Sequence, residues 1–267
     1  FRINDLENAK VFFLKTIGLN KNYIEGYNNL GLTSLEEQQY EKAVDYFKLA
    51  IKINDNYFSG WINLGNVYLK LEKFHDALDS YENAKLINNN SSELYSGLGN
   101  LCNSQGKYNE AFEFYKKAIS IAPNDTNLYS NIGVLLKDNN KIIEAISYFN
   151  EGLNYNPLDC NILNNLGDTY KSCNQFHKAI SCFEKALKIN PNLTEAKMNL
   201  SYCKSKAVPE WHIEMLNDKE RNKVYYEALK KGISKNDTVL DIGTGSGILS
   251  MIATKFTSKK VYTCENS

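Results

Sequence analysis

The chain has 267 residues, with 31 basic and 31 acidic side chains and a formal net charge of zero. Nucleic acids and anionic membrane surfaces usually bind proteins with a basic excess, so the balanced charge argues against either as the main partner. No stretch approaches the roughly 18 apolar residues of a membrane span. The six cysteines form no CxxC pair and have no histidine at zinc-ligand spacing. This favours reduced thiols in a cytoplasmic or nuclear protein without a metal site.

An internal repeat of 34 residues runs through most of the chain. Each unit contains a pentapeptide that ends in glycine, the first being Tyr27–Gly31. A fixed distance later come an alanine and then an aromatic residue. Small residues allow paired helices to approach closely, and aromatic rings fill the space between the helices. The alanines are Ala43, Ala77, Ala111, Ala145 and Ala179, and the aromatic residues are Phe47, Tyr81, Tyr115, Phe149 and Phe183.

This pattern resembles the tetratricopeptide repeat, a helix–turn–helix unit. The resemblance implies a mostly α-helical solenoid, because one unit cannot bury its own apolar face and must stack on its neighbours. We expect the solenoid to span residues 1–206 and a second domain to span 207–267, after a break at Pro209. Within the solenoid we expect a partial repeat at 1–23, full repeats at 24–57, 58–91, 92–125, 126–159 and 160–193, and a capping helix at 194–206.

The third residue of the pentapeptide is asparagine in most units. In the family this position faces the concave groove, where an amide can donate to and accept from a peptide backbone without reading its side chains. A similar asparagine ladder occurs in the repeat domain of O-linked N-acetylglucosamine transferases. Gly97 interrupts the ladder, and we expect a bound peptide to be held less tightly there. An alternative is that the chain is simply rich in asparagine and that these residues do not bind a peptide. The predicted groove residues are Asn29, Asn63, Asn131, Asn165 and Asn199, with Asn66, Asn100 and Asp168 on the same face.

The last part of the chain reads as strand, glycine loop, helix and strand. Residues 238–242 predict a buried strand, residues 248–256 a helix, and residues 261–264 a second strand. Alternating glycines in the loop let backbone approach a nucleotide-like ligand, and an acidic residue after the second strand can bind ribose hydroxyls. The spacing is GxGxG and not the GxGxxG of dinucleotide enzymes. The loop alone leaves the choice among nucleotide-like cofactors open.

The loop and the preceding Asp241 resemble motif I of the class I S-adenosylmethionine-dependent methyltransferases, which have a Rossmann-like α/β fold. Upstream, His212, Met215 and Arg221 stand at the spacing of the helix before that motif in protein arginine N-methyltransferases. One type within that family carries tetratricopeptide repeats ahead of its catalytic region. We expect the upstream helix to start at Asp218, with Val224, Ala228 and Leu229 on one face.

The resemblance implies an enzyme that transfers a methyl group from S-adenosylmethionine to a protein arginine, with the solenoid binding the substrate or partner protein. Arg221 would pair bidentately with the methionine carboxylate of the cofactor. Asp241 would order the loop. Of the remaining predicted cofactor ligands, His212 and Met215 would close over the cofactor, Gly243 and Gly245 would admit its amino acid part, and Glu265 would hold the ribose hydroxyls.

The family holds its substrate arginine with two glutamates on a later loop, and no such pair occurs before Ser267. The catalytic residues are therefore unknown, and we expect residues 1–267 alone to be inactive. The family's dimer or internal pseudo-dimer would also form through a later region. Two other functions stay open: an interaction scaffold with a degenerate methyltransferase part, or a methyltransferase for small molecules or nucleic acid. In either case Met215 could be plain core and Arg221 or Glu265 a surface charge.

Overall fold

A computed structural model of the protein describes residues 2–207, 218–242 and 248–264. The chain divides into two compact units, residues 1–201 and 202–267, and we describe each by itself. The first unit is built of helices, the last of which continues past the division. The helices are α1 (Arg2–Leu19), α2 (Ile24–Glu36), α3 (Tyr40–Ile53), α4 (Phe58–Lys70), α5 (Phe74–Ile87), α6 (Ser92–Ser104), α7 (Tyr108–Ile121), α8 (Thr126–Asp138), α9 (Ile142–Tyr155), α10 (Cys160–Ser172), α11 (Phe176–Ile189) and α12 (Thr194–Lys206).

The two helices of each repeat meet where an aromatic ring packs against the pentapeptide glycine. Tyr81 on α5 and Tyr115 on α7 are buried. A Cβ atom added at Gly65 or at Gly99 would lie 2.6 Å from the Cε1 atom of the facing ring. Real Cβ atoms do not approach a ring so closely, so any residue larger than glycine would separate the helices. The predicted helical solenoid is confirmed, and this contact explains its conserved spacing within the chain.

The turn inside each repeat has the same backbone form. In the third repeat, the backbone N–H of Lys107 donates to the carbonyl of Cys102 at 2.8 Å and closes α6. This hydrogen bond is typical of a helix that ends in a left-handed residue. The left-handed residues are Gln38, Glu72, Gly106, Asn140 and Asn174, with φ between 56° and 73°. Gly106 alone among these five adopts that conformation without a steric penalty on Cβ.

A second set of asparagines follows the second helix of every full repeat except the third, where Ala122 takes this place. Asn54 follows α3, and its Oδ1 accepts the backbone N–H of Asn56 at 3.0 Å. Asn88 does the same for Asn90 at 2.9 Å. Such Asx turns give these asparagines a role that does not depend on the ladder. The same bond is made by Asn20, Asn156 and Asn190.

The second unit contains a βαβ element preceded by a helix. Helix α13 (Lys219–Gly232) is followed by β1 (Val239–Ile242), α14 (Ile248–Ala253) and β2 (Val261–Cys264). The strands pair in parallel, which requires a crossover connection between them, and α14 lies in that connection. The predicted order of elements is confirmed, although β1 begins one residue later than predicted and α14 ends three residues earlier.

The predicted burial of β1 is wrong for Leu240, which is 61% exposed. Successive residues of a strand point to opposite faces. Asp241 bonds to Ser250 of α14, so α14 covers the face that bears Asp241. Leu240 and its register partner Tyr262 lie on the other face, against which no described element of this unit packs.

Helix α13 also packs through a different face from the one predicted. Val224 is 65% exposed and Ala228 is exposed, whereas Leu229 is partly buried. Tyr226 packs edge to face on Phe256, with ring centroids 5.1 Å apart. The aromatic pair sets the rotation of the helix, because it offers more apolar contact than valine and alanine do.

Cys102, Cys160, Cys173, Cys182 and Cys203 are free thiols, and Cys102, Cys182 and Cys203 among them are buried. None of the described helices combines the length and the apolar character that a membrane span requires.

Candidate functional site

The first helices of the N-terminal repeats form a polar groove of about 500 Å³. Helices α2, α4 and α6 contribute to it, together with Asp125 at the start of α8. Its charged lining residues are Glu93 and Asp125, and the described residues that line it include no lysine or arginine. The other polar lining consists of the amides of Asn28, Asn63, Asn66 and Asn100 and the hydroxyls of Ser59, Ser92 and Ser96.

The predicted asparagine ladder takes part in hydrogen bonds between repeats. Asn63 on α4 donates from Nδ2 to Oδ1 of Asn28 on α2 at 2.9 Å. Asn165 on α10 donates from Nδ2 to Oγ of Ser130 on α8 at 3.0 Å. Each bond spans 35 residues, so it joins one repeat to the next. It uses one amide proton and leaves the amide oxygen as an acceptor.

Among the other ladder residues, Asn29 and Asn131 are half-buried on α2 and α8. Of the ladder positions, only 63 and 97 line the groove described above, and the residues that line it on α2 are Asn28 and Leu32. Sequence reasoning missed Asn28 because it considered the ladder position and the position three residues later, and not the position before the ladder. That the ladder holds a peptide stays a prediction.

Two tyrosine hydroxyls fix the orientation of neighbouring amides in the groove. Tyr81 donates to Oδ1 of Asn66 at 2.8 Å, and Tyr115 donates to Oδ1 of Asn100 at 2.6 Å. Burial raises the pKa of both tyrosines, so their hydroxyls stay protonated. Each amide therefore presents its N–H groups away from the tyrosine. The sequence contains the signal for this pair, because the units with phenylalanine in place of tyrosine have Leu32, Val134 or Asp168 in place of asparagine.

A network of ion pairs lies on the first helices of the later repeats. Asp168 accepts from Nζ of Lys137 at 2.9 Å and of Lys171 at 2.6 Å. Lys171 also donates to Oδ1 of Asn199 at 2.8 Å. Burial would raise the pKa of Asp168, but the hydrogen bonds and charges of Lys171 and Lys137 outweigh it and hold the pKa below its ordinary value. Two predicted groove residues, Asp168 and Asn199, thus belong to a network that links two repeats and the helix α12.

In the second unit, Asp241 connects the strand before the glycine loop to the helix after it. The hydroxyl of Ser250 on α14 donates to the Asp241 carboxylate. Ser250 is buried. Because Asp241 precedes residues 243–247 and Ser250 follows them, the bond holds the two flanks of the loop together. That Asp241 orders the glycine loop for a cofactor stays a prediction.

Arg221 lies in the first turn of α13, beside the helix cap. Its backbone N–H donates to Oδ1 of Asp218 at 2.9 Å, and its Nε lies 3.7 Å from Oδ2 of Asp218. The guanidinium is partly exposed, so a second carboxylate could reach it. Ile242 and Cys264 are register partners, so both strands end at the same edge of the sheet. The other predicted cofactor ligands, His212, Met215, Gly243, Gly245 and Glu265, lie outside the described residues, and their roles stay predictions.

One further group has the chemistry of metal ligands. Possible ligand atoms of His75, Asp76 and Asp79 lie within 4.8 Å of one another on α5, and all three residues are exposed. His75 and Asp79 are four residues apart, a spacing at which side chains on a helix meet without an ion. The cluster therefore gives no reason to assign a metal.

Comparisons with known proteins match the two units to two different families. Family models described as "Tetratricopeptide repeat" match the repeats of the first unit almost without a gap. A model described as "Ribosomal protein L11 methyltransferase (PrmA)" matches residues 222–267. The ranges matched by the repeat models are 24–57, 58–91, 92–125, 126–157 and 160–193.

Two curated relatives are arginine methyltransferases. The "Arginine N(omega)-methyltransferase" of Streptomyces achromogenes subsp. streptozoticus is 53% identical over 58 residues, which are 22% of this chain and 16% of that protein. "Protein arginine N-methyltransferase 9" of Mus musculus is 47% identical over 77 residues, which are 28% of this chain and 9% of that protein. The chain therefore spans less than a fifth of the length of either relative.

The likeness among solved structures concerns the solenoid. A tetratricopeptide repeat protein from Parabacteroides merdae has a TM-score of 0.67, covering 76% of this chain and 79% of that one at 19% identity. At this identity the likeness shows the fold alone. The chain belongs to the tetratricopeptide repeat family, and it continues into a segment that is similar to methyltransferases, arginine methyltransferases among them.

Proposed function

We propose that the protein containing this chain transfers a methyl group from S-adenosylmethionine to a guanidinium nitrogen of a protein arginine. The observation that carries the proposal is the similarity of the chain to two arginine methyltransferases, at 53% and 47% identity over short segments. The parallel βαβ element and the Asp241–Ser250 hydrogen bond support it, because this geometry suits a glycine loop that approaches a ligand.

When bound, S-adenosylmethionine supplies an activated methyl group, and the task of this chain is to hold it in position. Arg221 would exchange its interaction with Asp218 for a bidentate pair with the cofactor's carboxylate, which suits a planar guanidinium. Asp241 would keep the flanks of the loop fixed through Ser250. In the same proposal His212 and Met215 cover the cofactor, Gly243 and Gly245 admit it, and Glu265 binds its ribose.

We further propose that the groove of the solenoid holds the polypeptide that is methylated, or a partner of it. Asn66 and Asn100 present amide N–H groups, because their oxygens accept from tyrosines. Asn63 presents an amide oxygen, because its Nδ2 donates to Asn28. An extended backbone exposes both donors and acceptors, and such oriented amides can bind both.

Two alternative functions are considered. The name of the Streptomyces relative gives arginine as its substrate, so methylation of a small molecule is the second candidate. The third is a scaffold in which the solenoid alone functions. The polar groove favours a polypeptide over free arginine, because it runs over three helices of the solenoid and is longer than one amino acid.

Calorimetric titration of S-adenosylmethionine into the natural protein containing this chain separates the enzyme from the scaffold. Binding is expected, and Arg221→Ala is expected to weaken it roughly ten- to hundredfold, since a hydrogen bond to a charged group contributes about 1.5–3 kcal/mol. Lys230→Ala removes an exposed positive charge from the same helix and is expected to have no effect. If no binding is measured, or if both variants bind like the wild type, the scaffold is the better account.

Methyl transfer with two acceptors separates the two enzymatic candidates. Mass spectrometry should find methylarginine in an arginine-containing polypeptide and little methylation of free arginine at equal concentration. The reverse ranking would favour the small-molecule acceptor.

A further inference from the structure

Gly97 lines the groove of the solenoid at a ladder position, and we call the part of the groove around it the hollow at Gly97. A Cβ atom at residue 97 would lie 2.6 Å from Cε1 of Tyr81 and 3.1 Å from its hydroxyl oxygen. The Tyr81 ring is 0% exposed, and its hydroxyl is bonded to Asn66, so the ring has no room to move away. Residue 97 therefore has to be glycine, and it lines the groove with backbone alone.

The charges around this hollow are all negative. Glu93 lies one helical turn before Gly97 and so shares its face of α6. Asp125 comes from the next repeat, where its Oδ1 accepts from the backbone and the side chain of Asn127 at 3.1 and 3.0 Å. These neutral donors fix the carboxylate without cancelling its charge. The amides and hydroxyls around it are neutral, and the described lining residues include no lysine or arginine.

We infer that the hollow at Gly97 binds a positively charged side chain of a polypeptide that lies in the groove, and that arginine suits it best. A guanidinium carries five N–H donors in one plane, so it can bond to a carboxylate on one side and to an amide oxygen on another. Glu93 and Asp125 supply the carboxylates, and Asn63 supplies an amide oxygen. The inference rests on the proposed polypeptide-binding role of the groove and adds to it the charge of the segment that is selected.

Fluorescence anisotropy on the 267-residue chain, without cofactor, tests the inference with three labelled peptides. The peptides share a glycine–serine sequence and carry arginine, glutamine or glutamate at the centre. The arginine peptide is expected to bind about three- to tenfold more tightly than the glutamine peptide, as two solvent-accessible charge pairs would give. The glutamate peptide should bind most weakly. The preference for arginine should decrease as salt is added.

The decisive variant is Glu93→Gln combined with Asp125→Asn, because asparagine keeps the oxygen that caps α8. It should bind the arginine and glutamine peptides equally. The matched control is Glu82→Gln combined with Glu113→Gln, which removes the same charge from the second helices α5 and α7 and should keep the preference. Glu93→Gln alone is expected to remove about half of the free-energy preference for the arginine peptide over the glutamine peptide. Circular dichroism checks that each variant is folded.

The outcomes are distinguishable from a failure of the proposed function. Equal binding of the arginine and glutamine peptides to the wild type, or an unchanged preference in the Glu93→Gln/Asp125→Asn variant, would overturn the inference and leave the polypeptide groove intact. If none of the peptides binds, both the inference and the groove's proposed role fail. The titration of S-adenosylmethionine tests the methyltransferase role independently of either result.

Discussion

The contact between Gly97 and Tyr81 predicts that one added methyl group destabilises the solenoid. In Gly97→Ala the new Cβ would lie 2.6 Å from Cε1 and 2.8 Å from Cζ of the ring. Carbon atoms in a core pack at about 3.5–4.0 Å, so ring or helix must move by roughly 1 Å. The ring cannot take up this shift, because Gly65 is equally close to it on α4 and Asn66 holds its hydroxyl.

The expected cost follows from two opposing effects. Extra volume in a well-packed core costs roughly 1–3 kcal/mol. Alanine is also a better helix former than glycine by about 1 kcal/mol, which offsets part of that cost. We therefore expect Gly97→Ala to lower the free energy of unfolding by up to about 2 kcal/mol. The matched control is Gly18→Ala on α1, because an added Cβ there has nothing within 4 Å, and it should show no loss.

Urea unfolding followed by circular dichroism and by fluorescence measures the effect, because Trp61 on α4 packs against the core cluster that contains Tyr81. The Gly97→Ala midpoint should fall below those of the wild type and of Gly18→Ala. In a Tyr81→Leu background the clash is absent, so Gly97→Ala should cost less there, and the double-mutant cycle should show coupling. Equal costs in both backgrounds, or a midpoint at the wild-type value, would refute the packing argument.

Three further predictions concern hydrogen bonds, charge and backbone. Tyr115→Phe removes the bond to Asn100 and should cost about 1 kcal/mol in the same assay; Asn100→Ala combined with it should add little, and full additivity would argue against the pair. The lowered pKa of Asp168 means that its contribution is complete above about pH 4 and is lost as the pH falls through the lowered pKa. The stability of the wild type should therefore fall more between pH 6 and 3 than that of Asp168→Asn, and parallel profiles would contradict this. Glu72→Gly removes the Cβ atom at a positive φ of 56° and should therefore raise the free energy of unfolding by up to about 1 kcal/mol, seen as a higher urea midpoint. A lower midpoint would count against strain at this turn.

The sequence predicts the solenoid well because the determining interactions repeat every 34 residues. The contact of Gly65 with Tyr81 lies within one unit, so its two residue types appear in every repeat. The hydrogen bond from Asn63 to Asn28 joins two units and depends on how far one helix is offset from the next. That offset cannot be read from one repeat, which is why the ladder was predicted without its partners. The hollow at Gly97 was likewise predicted only as a slackened grip.

The C-terminal unit has no repeat, so its burial pattern is harder to predict from the sequence. The order of its strands and helices follows from the apolar runs and the glycines, and the structure agrees with it. The exposed positions of Val224 and Leu240 depend on which faces are covered by neighbouring elements. A short apolar run carries no information about the covering element. The same reasoning explains why Ser250, a polar residue on a predicted helix, was not recognised as the partner of Asp241.

Methyl transfer from labelled S-adenosylmethionine to an arginine-containing polypeptide, by the natural protein containing this chain, tests the account most directly. We expect the label on a guanidinium nitrogen, and we expect Arg221→Ala to lower the rate of methyl transfer strongly. The Glu93→Gln/Asp125→Asn variant should have a raised KM for a basic polypeptide at unchanged kcat. Lys230→Ala should match the wild type in both constants. The account is contradicted if arginine carries no label, or if Arg221→Ala transfers methyl groups as fast as Lys230→Ala does.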